Sequence, residues 1–146
     1  MPPPNAELLF QAIAAAGSDY RHGGRRHGTG FDCSGLVAFV YQEAYSLHLP
    51  PNSLAQSEYG HAVARENLQP GDLVFFNTQR QPFSHVGIYL GDGKFIHAPK
   101  TGSTVRTESL LARYWSTRFD GARRILADLP GADYAGAPNT PAVTFP

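Results

Sequence analysis

The segment HVGIYLGDGKFIH, residues 85–97, carries the strongest structural pattern in the chain. Two short apolar runs flank a Gly-Asp-Gly turn, which predicts an antiparallel β-hairpin. With residues 91–93 as a three-residue loop, Gly87 faces His97 across the hairpin. Because side chains alternate along a strand, His85 and His97 then lie on one face as diagonal neighbours. A two-residue turn at the same place would put the two histidines on opposite faces.

Three more segments outside the hairpin have the composition of strands and are bounded by Gly, Pro or Ser: 72–77, 104–107 and 119–126. Together with the hairpin they predict an antiparallel sheet of about five strands. A short helical segment is expected at residues 110–115. Because the other predicted helices precede this sheet along the chain, the fold class is α+β, with N-terminal helices packed on a central antiparallel β-sheet.

Three helices are predicted before the sheet. The first lies within residues 1–17, and its N-cap and apolar stripe are Asn5, Ala6, Leu9, Phe10 and Ile13. The second begins at Cys33 and ends near Tyr45, because apolar residues recur there at helical spacing. A capping-box pattern at Ser53 and Gln56 starts a short third helix.

The composition limits the class of protein. Lys plus Arg and Asp plus Glu both number 12, so no net charge draws the chain to nucleic acid or to anionic lipid. No apolar run is long enough to span a membrane, and we expect no export signal in residues 1–17. The only cysteine, Cys33, excludes an internal disulfide and a zinc site of the paired-cysteine type. These observations leave the oligomeric state open.

The expected organisation is one domain with two appendages. The chain divides into an N-terminal helix at residues 1–17, the domain at 18–127 and a Pro-rich tail at 128–146. Residues 18–31 are rich in glycine and lack periodicity, which is typical of a loop. The tail also lacks periodicity and is expected to be extended. Its aromatic residues Tyr134 and Phe145 are possible anchors, and we expect at least one of them to be half buried.

Cys33 is the candidate nucleophile. Free backbone N–H groups in the first turn of a helix lower the pKa of a thiol, and those of Cys33 and Ser34 are placed to hold an oxyanion. On the hairpin, His85 supplies a base and His97 a partner that orients it. Two alternatives remain open at this point: Cys33 is a small buried hydrophobe, or Cys33, His85 and His97 are three zinc ligands.

Six segments occur in an order that resembles the NlpC family of papain-like cell-wall peptidases, also called the NlpC and p-sixty family. They are YRHGG at 20–24, FDCSGLV at 31–37, LP at 49–50, QPGDLVFF at 69–76, SHVGIYLG at 84–91 and FIHAP at 95–99. The resemblance covers about residues 18–126. Its most specific parts are DCSGLV and HVGIYLG.

The resemblance implies a papain-like fold and a cysteine endopeptidase without a cofactor or metal. Its implied substrate is the peptidoglycan stem peptide, cut between γ-D-glutamate and the diamino acid, and its implied location is the cell envelope. Cys33 is then the nucleophile, His85 the general base and His97 the polar third member of a catalytic triad. An amidase that cuts the sugar-to-peptide link, a thiol acyltransferase and a non-enzymatic phage-tail or wall-binding module are the alternatives.

The resemblance also implies substrate-binding roles beside the thiol. It places Tyr20 next to Cys33 and assigns Asp32 and Ser34 to the free amino end of the stem peptide. Simpler explanations are that Tyr20 packs, that Asp32 caps the helix and that Ser34 only fills its first turn.

Two arginine-containing segments and the pair Ser53 and Gln56 can be explained without a catalytic role. Arg25 and Arg26 belong to a basic loop that suits a carboxylate-bearing substrate or is merely solvated. A pair of arginines in the last predicted strand, Arg123 and Arg124, is explained by charge at a sheet edge. Capping accounts for Ser53 and Gln56.

Overall fold

An antiparallel sheet of six strands lies at the centre of residues 5–125, the part of the chain that the computed structural model describes. The strands, in chain order, are β1 (Arg25–Arg26), β2 (Gly30–Phe31), β3 (His61–Val63), β4 (Leu73–Phe76), β5 (His85–Gly91), β6 (Lys94–His97), β7 (Arg106–Ser109) and β8 (Phe119–Arg124). The first two form a separate small hairpin, and the others form the central sheet in the order β3-β8-β4-β5-β6-β7.

The α+β class is confirmed, whereas the expected count of about five strands is wrong because β3 was missed. Strand β3 has three residues, and within residues 5–125 its pairing partner is β8, through His61 and Arg124 at one end and Val63 and Ala122 at the other. So short a segment has no detectable alternation. The five predicted strands are present, with the largest displacement at β7.

Four α-helices occur among the described residues: α1 (Ala6–Ala14), α2 (Cys33–Tyr45), α3 (Ser53–Gln56) and α4 (Arg113–Ser116); a 3₁₀-helix spans Arg65–Asn67. The predicted start and end of α2 are confirmed. Its buried residues Leu36, Val37 and Val40 share one core cluster with Val86 and Ile88 of β5. Burial of these apolar side chains holds the first turn of α2 against the start of β5.

The opposite face of the sheet carries a second core cluster. Its buried residues are Val74, Phe76, Phe95, Leu110, Trp115 and Ala122. Side chains of β4 alternate between the two clusters, so all four of its residues are buried. The sheet is therefore covered on both faces, by α2 on one side, with α1 packed on α2, and by the α4 segment on the other.

The predicted apolar stripe of α1 has the wrong phase. Leu8 and Ala12 are buried, whereas Phe10 and Ile13 are 64% and 57% exposed. Three consecutive apolar residues at positions 8–10 fit more than one helical phase, and packing on α2 selects the phase that buries Leu8. Asn5 occupies the N-cap position but its side chain makes no capping bond and instead donates to the Pro70 carbonyl.

Two other local predictions are also corrected. Residues 18–31 contain the β1–β2 hairpin, whose two-residue strands are too short to show periodicity. Asn52, not Ser53, caps α3 by accepting a hydrogen bond from the Ala55 N–H at 2.8 Å. Ser53 Oγ donates instead to the Phe83 carbonyl at 2.6 Å, so the capping box was placed one residue too late.

Gln56 anchors the helix that carries the thiol. It is fully buried, and its Nε2 donates to the carbonyls of Ser34 at 3.0 Å and Pro50 at 2.8 Å. The Ser34 carbonyl belongs to the first turn of α2. Gln56 therefore ties α3 and the loop before it to that turn, a role that capping does not describe.

The tail at residues 128–146 lies outside the described residues, and so does the expected burial of Tyr134 or Phe145. Within residues 5–125, no helix is both long and apolar enough to cross a membrane.

Arg124 is not an edge charge. Strand β8 lies between β3 and β4, and Arg124 is 8% exposed. Its guanidinium donates to both carboxylate oxygens of Asp72, with Nε–Oδ1 and Nη2–Oδ2 distances of 2.9 Å. Asp72 is itself buried, so the charge of each residue is compensated by the other.

Replacing Asp72 by Asn should strongly destabilise the fold, because it removes the carboxylate charge that compensates the buried Arg124 guanidinium. We expect the free energy of unfolding in urea to fall by about 3–5 kcal/mol. Glu58→Gln, at an exposed position, is the control and should change it by less than about 0.5 kcal/mol. A loss below about 1 kcal/mol for Asp72→Asn would show that the ion pair is dispensable.

Candidate active site

The turn of the β5–β6 hairpin is shorter than predicted. Gly91 pairs with Lys94, so only Asp92 and Gly93 lie between the paired residues. Both have positive φ angles, 54° and 74°, as a type I′ turn requires. The expected three-residue loop is therefore wrong.

A bulge at Leu90 compensates for the shorter turn. The register shifts between Tyr89 and Gly91, which leaves Leu90 without a partner, while Ile88 still pairs with Ile96. One extra residue in a strand reverses the alternation of its side chains. The shorter turn and the bulge cancel, so the prediction that His85 and His97 share a face is confirmed.

The two histidine rings are in direct contact. His85 Nε2 lies 2.7 Å from His97 Nδ1, and the residues are 4% and 0% exposed. Trp115 stacks on His85 with ring centroids 5.5 Å apart and meets His97 edge-on at 4.9 Å. This aromatic packing excludes water from the contact and restrains both rings.

Gly87 leaves the space that the histidine pair occupies. A Cβ atom at this position would lie 2.7 Å from Phe95 Cδ2 and 3.2 Å from His97 Cβ. Any larger residue would therefore displace the neighbouring strand or the His97 side chain.

Glu108 extends the pair and was missed by sequence reasoning. Its Oε2 lies 2.7 Å from His97 Nε2, and it also accepts hydrogen bonds from Arg106 Nε and Trp115 Nε1, both at 3.1 Å. The predicted strand ended at residue 107, one residue before Glu108. The β6–β7 register, which pairs His97 with Arg106, would have revealed it, but that register depends on non-local pairing.

Cys33 is the first residue of α2, as predicted. The backbone groups of Val86, Ser34 and Cys33 itself interact with its thiol and favour the ionised form. Val86 follows His85 in β5, so the thiol lies beside the start of the strand that carries the histidine. Cys33 as a residue is partly exposed.

The backbone N–H groups at the helix start favour the thiolate, as expected, but the expected net decrease of the thiol pKa is wrong. Burial raises the pKa of Cys33 to about 11, outweighing the favourable backbone interactions, and the nearby Asp32 adds to the increase. The helix N-terminus supplies partial charges, whereas desolvation acts on the full charge of a thiolate. At neutral pH the free protein therefore holds Cys33 as a thiol.

Burial acts on the histidines in the opposite direction. It lowers the pKa of His85 to about 3, with a further decrease from His97 and an opposing effect of Glu108. It lowers the pKa of His97 to about 4, where the hydrogen bond and charge of Glu108 oppose it and Arg106 adds to it. Both imidazoles are therefore neutral at pH 7, which is the form of His85 that can accept a proton.

Asp32 and Ser34 are engaged by the protein itself. Asp32 caps α2 by accepting from the Gly35 N–H at 2.7 Å, and its other oxygen accepts from the Gly23 N–H at 2.9 Å. Ser34 is 5% exposed and donates to the Pro51 carbonyl at 3.2 Å, which favours a structural role.

Tyr20 stands close to the thiol. Burial and the neighbouring Cys33 and Asp32 raise the pKa of its phenol, so the side chain is near both. It is only partly buried, and its backbone bridges to Phe31 just before α2. Tyr20 is thus the member of the predicted binding set with a side chain near the thiol and open to solvent.

The zinc alternative gains no support from the geometry. Among residues 5–125, no group of three His, Cys, Asp or Glu side chains is arranged to hold a metal ion. Both ring nitrogens of His97 already have partners, His85 and Glu108. Coordination by His97 would require breaking one of these contacts.

A thiol in the first turn of a helix, beside an antiparallel strand that carries a histidine pair, defines the papain-like class of cysteine peptidase folds. Comparison with known proteins gives the family. The chain belongs to the NlpC/P60 family, whose model matches residues 17–124.

Three similar proteins illustrate the relationship. The chain is 42% identical over 121 residues to "Murein DD-endopeptidase MepH" of Escherichia coli, covering 81% of this chain and 44% of that protein. It is 42% identical over 118 residues to "Gamma-DL-glutamyl hydrolase" of Bacillus subtilis, covering 80% and 28%. A crystal structure of an NlpC/P60 family protein from Bacillus cereus matches with a TM-score of 0.77 and 35% identity, covering 86% and 41%. The chain thus spans less than half the length of each.

The raised thiol pKa predicts slow alkylation of Cys33 at neutral pH. Because the thiolate is the reactive form, we expect the rate with iodoacetamide to rise continuously from about pH 7 to about pH 10. A short unstructured peptide with one cysteine and both termini blocked, whose thiol pKa is about 8.5, is the reference and should level off earlier. A plateau for Cys33 already reached below about pH 7 would indicate a resting thiolate–imidazolium pair instead.

Proposed function

We propose that this chain is a cysteine endopeptidase that hydrolyses amide bonds in peptidoglycan stem peptides. The observation that carries the proposal is the placement of the Cys33 thiol beside the start of β5, where His85 is held by His97. Family membership and the names of the similar proteins, a murein DD-endopeptidase and a gamma-DL-glutamyl hydrolase, support this class of substrate.

In the proposed reaction His85 removes the thiol proton as Cys33 attacks the amide carbonyl. The backbone N–H groups of Cys33 and Ser34, which already interact with the thiol, stabilise the oxyanion that forms. The protonated His85 then donates its proton to the leaving amine, and a thioester remains on Cys33. Water, deprotonated by His85, cleaves the thioester and regenerates the thiol.

The neutral resting state of the thiol and imidazole fits this order of reaction steps. Burial disfavours both the thiolate and the imidazolium, so neither charge is present until a substrate is attacked. The Nε2 atom of His85 contacts His97 Nδ1, which leaves the Nδ1 atom of His85 as the nitrogen available for the thiol proton. In this proposal His97, the polar third member of the triad, therefore acts through His85 and does not touch the substrate.

Tyr20 is the proposed contact for the stem peptide next to the thiol. Asp32 has both carboxylate oxygens committed to backbone N–H groups, so its proposed contribution to substrate binding is its negative charge near the site. That charge suits the free amino end of a stem peptide. Ser34 shapes the first turn of α2, because its hydroxyl is already bonded to Pro51.

The proposed scissile bond joins γ-D-glutamate to the diamino acid, and the proposed location is the cell envelope. The similar proteins carry two different bond names at the same 42% identity, so overall similarity does not favour one of them. The D,D cross-link is therefore the main alternative bond. Amidase, acyltransferase and non-enzymatic roles remain competing outcomes of the experiment.

Mass spectrometry of digested peptidoglycan tests the proposal. A cut at the proposed bond yields a free amino group on the diamino acid and a new γ-carboxyl on D-glutamate. Conversion of cross-linked into monomeric stem peptides would indicate the D,D bond, and release of the peptide from the sugar an amidase. Products that carry an added amine would indicate an acyltransferase, and unchanged peptidoglycan would contradict hydrolysis.

Substitutions assign the roles in the same assay. Cys33→Ala should abolish hydrolysis and His85→Ala should reduce it by at least about 100-fold. His97→Asn should retain partial activity, because an amide can accept from His85 and donate to Glu108. His48→Ala, at an exposed position, is the control and should match the wild type. Wild-type turnover by Cys33→Ala would contradict the cysteine mechanism.

A further inference from the structure

The chain of hydrogen bonds at the site continues beyond the three residues that the sequence identified. His85 Nε2 lies 2.7 Å from His97 Nδ1, and His97 Nε2 lies 2.7 Å from Glu108 Oε2. We propose that Glu108 is a positioning residue that fixes the tautomers of both imidazoles, so that His85 presents an unprotonated Nδ1 to the Cys33 thiol. This inference rests on the proposed function, in which His85 accepts the thiol proton.

The proton positions follow from the carboxylate end of the chain. An ionised carboxylate only accepts hydrogen bonds, so His97 Nε2 carries the proton in its bond to Glu108. A neutral imidazole has one N–H, so His97 Nδ1 is an acceptor. His85 Nε2 must therefore be the donor in the bond between the rings. Neutral His85 then has its free lone pair on Nδ1, as a general base requires.

Glu108 is itself held in place and kept ionised. Trp115 Nε1 donates to its Oε1, and Arg106 Nε donates to its Oε2, both at 3.1 Å. Partial burial raises the pKa of the Glu108 carboxyl, but the hydrogen bonds from Trp115, His97 and Arg106 lower it overall. Its side chain is 26% exposed and lines a cavity of about 440 Å³, so water reaches the carboxylate from one side.

That cavity explains why the carboxylate is needed. Water both donates and accepts hydrogen bonds, so water bound at His97 Nε2 would not select a tautomer. His97 could then carry its proton on Nδ1 and accept from water at Nε2. In that arrangement His85 Nε2 becomes the acceptor, its proton moves to Nδ1, and the base for Cys33 is lost. Glu108 excludes this arrangement because it cannot donate.

The charge of Glu108 also acts on the basicity of His85. Among the described residues, the charged groups that act on the two rings are Glu108 and Arg106 of β7, while Cys33 of α2 is a neutral thiol at pH 7. Glu108 raises the pKa of both imidazoles against the effect of burial, and Arg106 lowers that of His97. Removing the carboxylate should therefore weaken His85 as a base and move the acid limb of the activity profile to lower pH.

Two variants separate the parts of this role. Glu108→Ala removes the acceptor, whereas Glu108→Gln keeps an amide oxygen that can accept from His97 Nε2 but removes the charge. Glu66→Gln, an exposed carboxylate on the 3₁₀-helix, is the matched control. The tautomers are read from ¹⁵N chemical shifts of the imidazole rings in the folded protein without substrate, and kcat and KM from stem-peptide hydrolysis.

We expect both rings of the wild type and of Glu66→Gln to be protonated on Nε2. Glu108→Gln should keep these tautomers and lose part of the activity, with its acid limb at lower pH. Glu108→Ala should show Nδ1 protonation and lose at least about tenfold in kcat, with KM changed by less than about twofold because in this role Glu108 acts only through His97 and His85.

Three results would overturn the positioning role. One is a wild-type His97 protonated on Nδ1, which needs no variant to observe. Another is an unchanged set of tautomers in Glu108→Ala, whatever its activity, and the third is a kcat of Glu108→Ala within about twofold of the wild type. A wild type that hydrolyses no stem peptide contradicts the proposed function instead, because the tautomers are measured without substrate.

Discussion

The hydrogen bond between His85 Nε2 and His97 Nδ1 is the interaction on which the site depends, and it exists because of one unpaired residue. A two-residue turn at Asp92 and Gly93 would by itself place the two histidines on opposite faces of the sheet. The bulge at Leu90 reverses the alternation once more and returns both to one face. Register is thus the constraint that decides whether this hairpin carries a histidine pair or two unrelated residues.

The two faces of the sheet have different roles. One face is apolar and packs on α2, which fixes the first turn of that helix against the start of β5. The other face surrounds the histidines with Trp115 and the neighbouring phenylalanines, so that hydrogen bonds within it are formed in a low-dielectric environment. The same burial that strengthens these bonds raises the thiol pKa and lowers those of the imidazoles, which favours a neutral resting pair.

Features with a local cause could be predicted from the sequence. The start of α2, the position of Cys33 and the shared face of the histidines follow from helical spacing and strand alternation. Features that depend on pairing between distant segments could not be predicted. The role of Glu108 becomes apparent only from the β6–β7 register, and strand β3 can be recognised only from its pairing with β8. The burial of Arg124 follows from its contact with Asp72. The prediction of which face of α1 is buried was wrong for the same reason. The apolar residues fit two helical phases equally well, and packing on α2 determines which of them is buried.

The proposed reaction requires the Cys33 thiol and the free Nδ1 of His85 to face each other, and a short bifunctional reagent can test this placement. 1,3-Dibromoacetone alkylates a thiol and can then react with a second nucleophile within the reach of its three-carbon chain, with loss of both bromides. We expect a single cross-link between Cys33 Sγ and His85 Nδ1, found by peptide mapping of the folded protein and absent after unfolding. Cys33 alkylated without a cross-link, or linked to a residue other than His85, would contradict it.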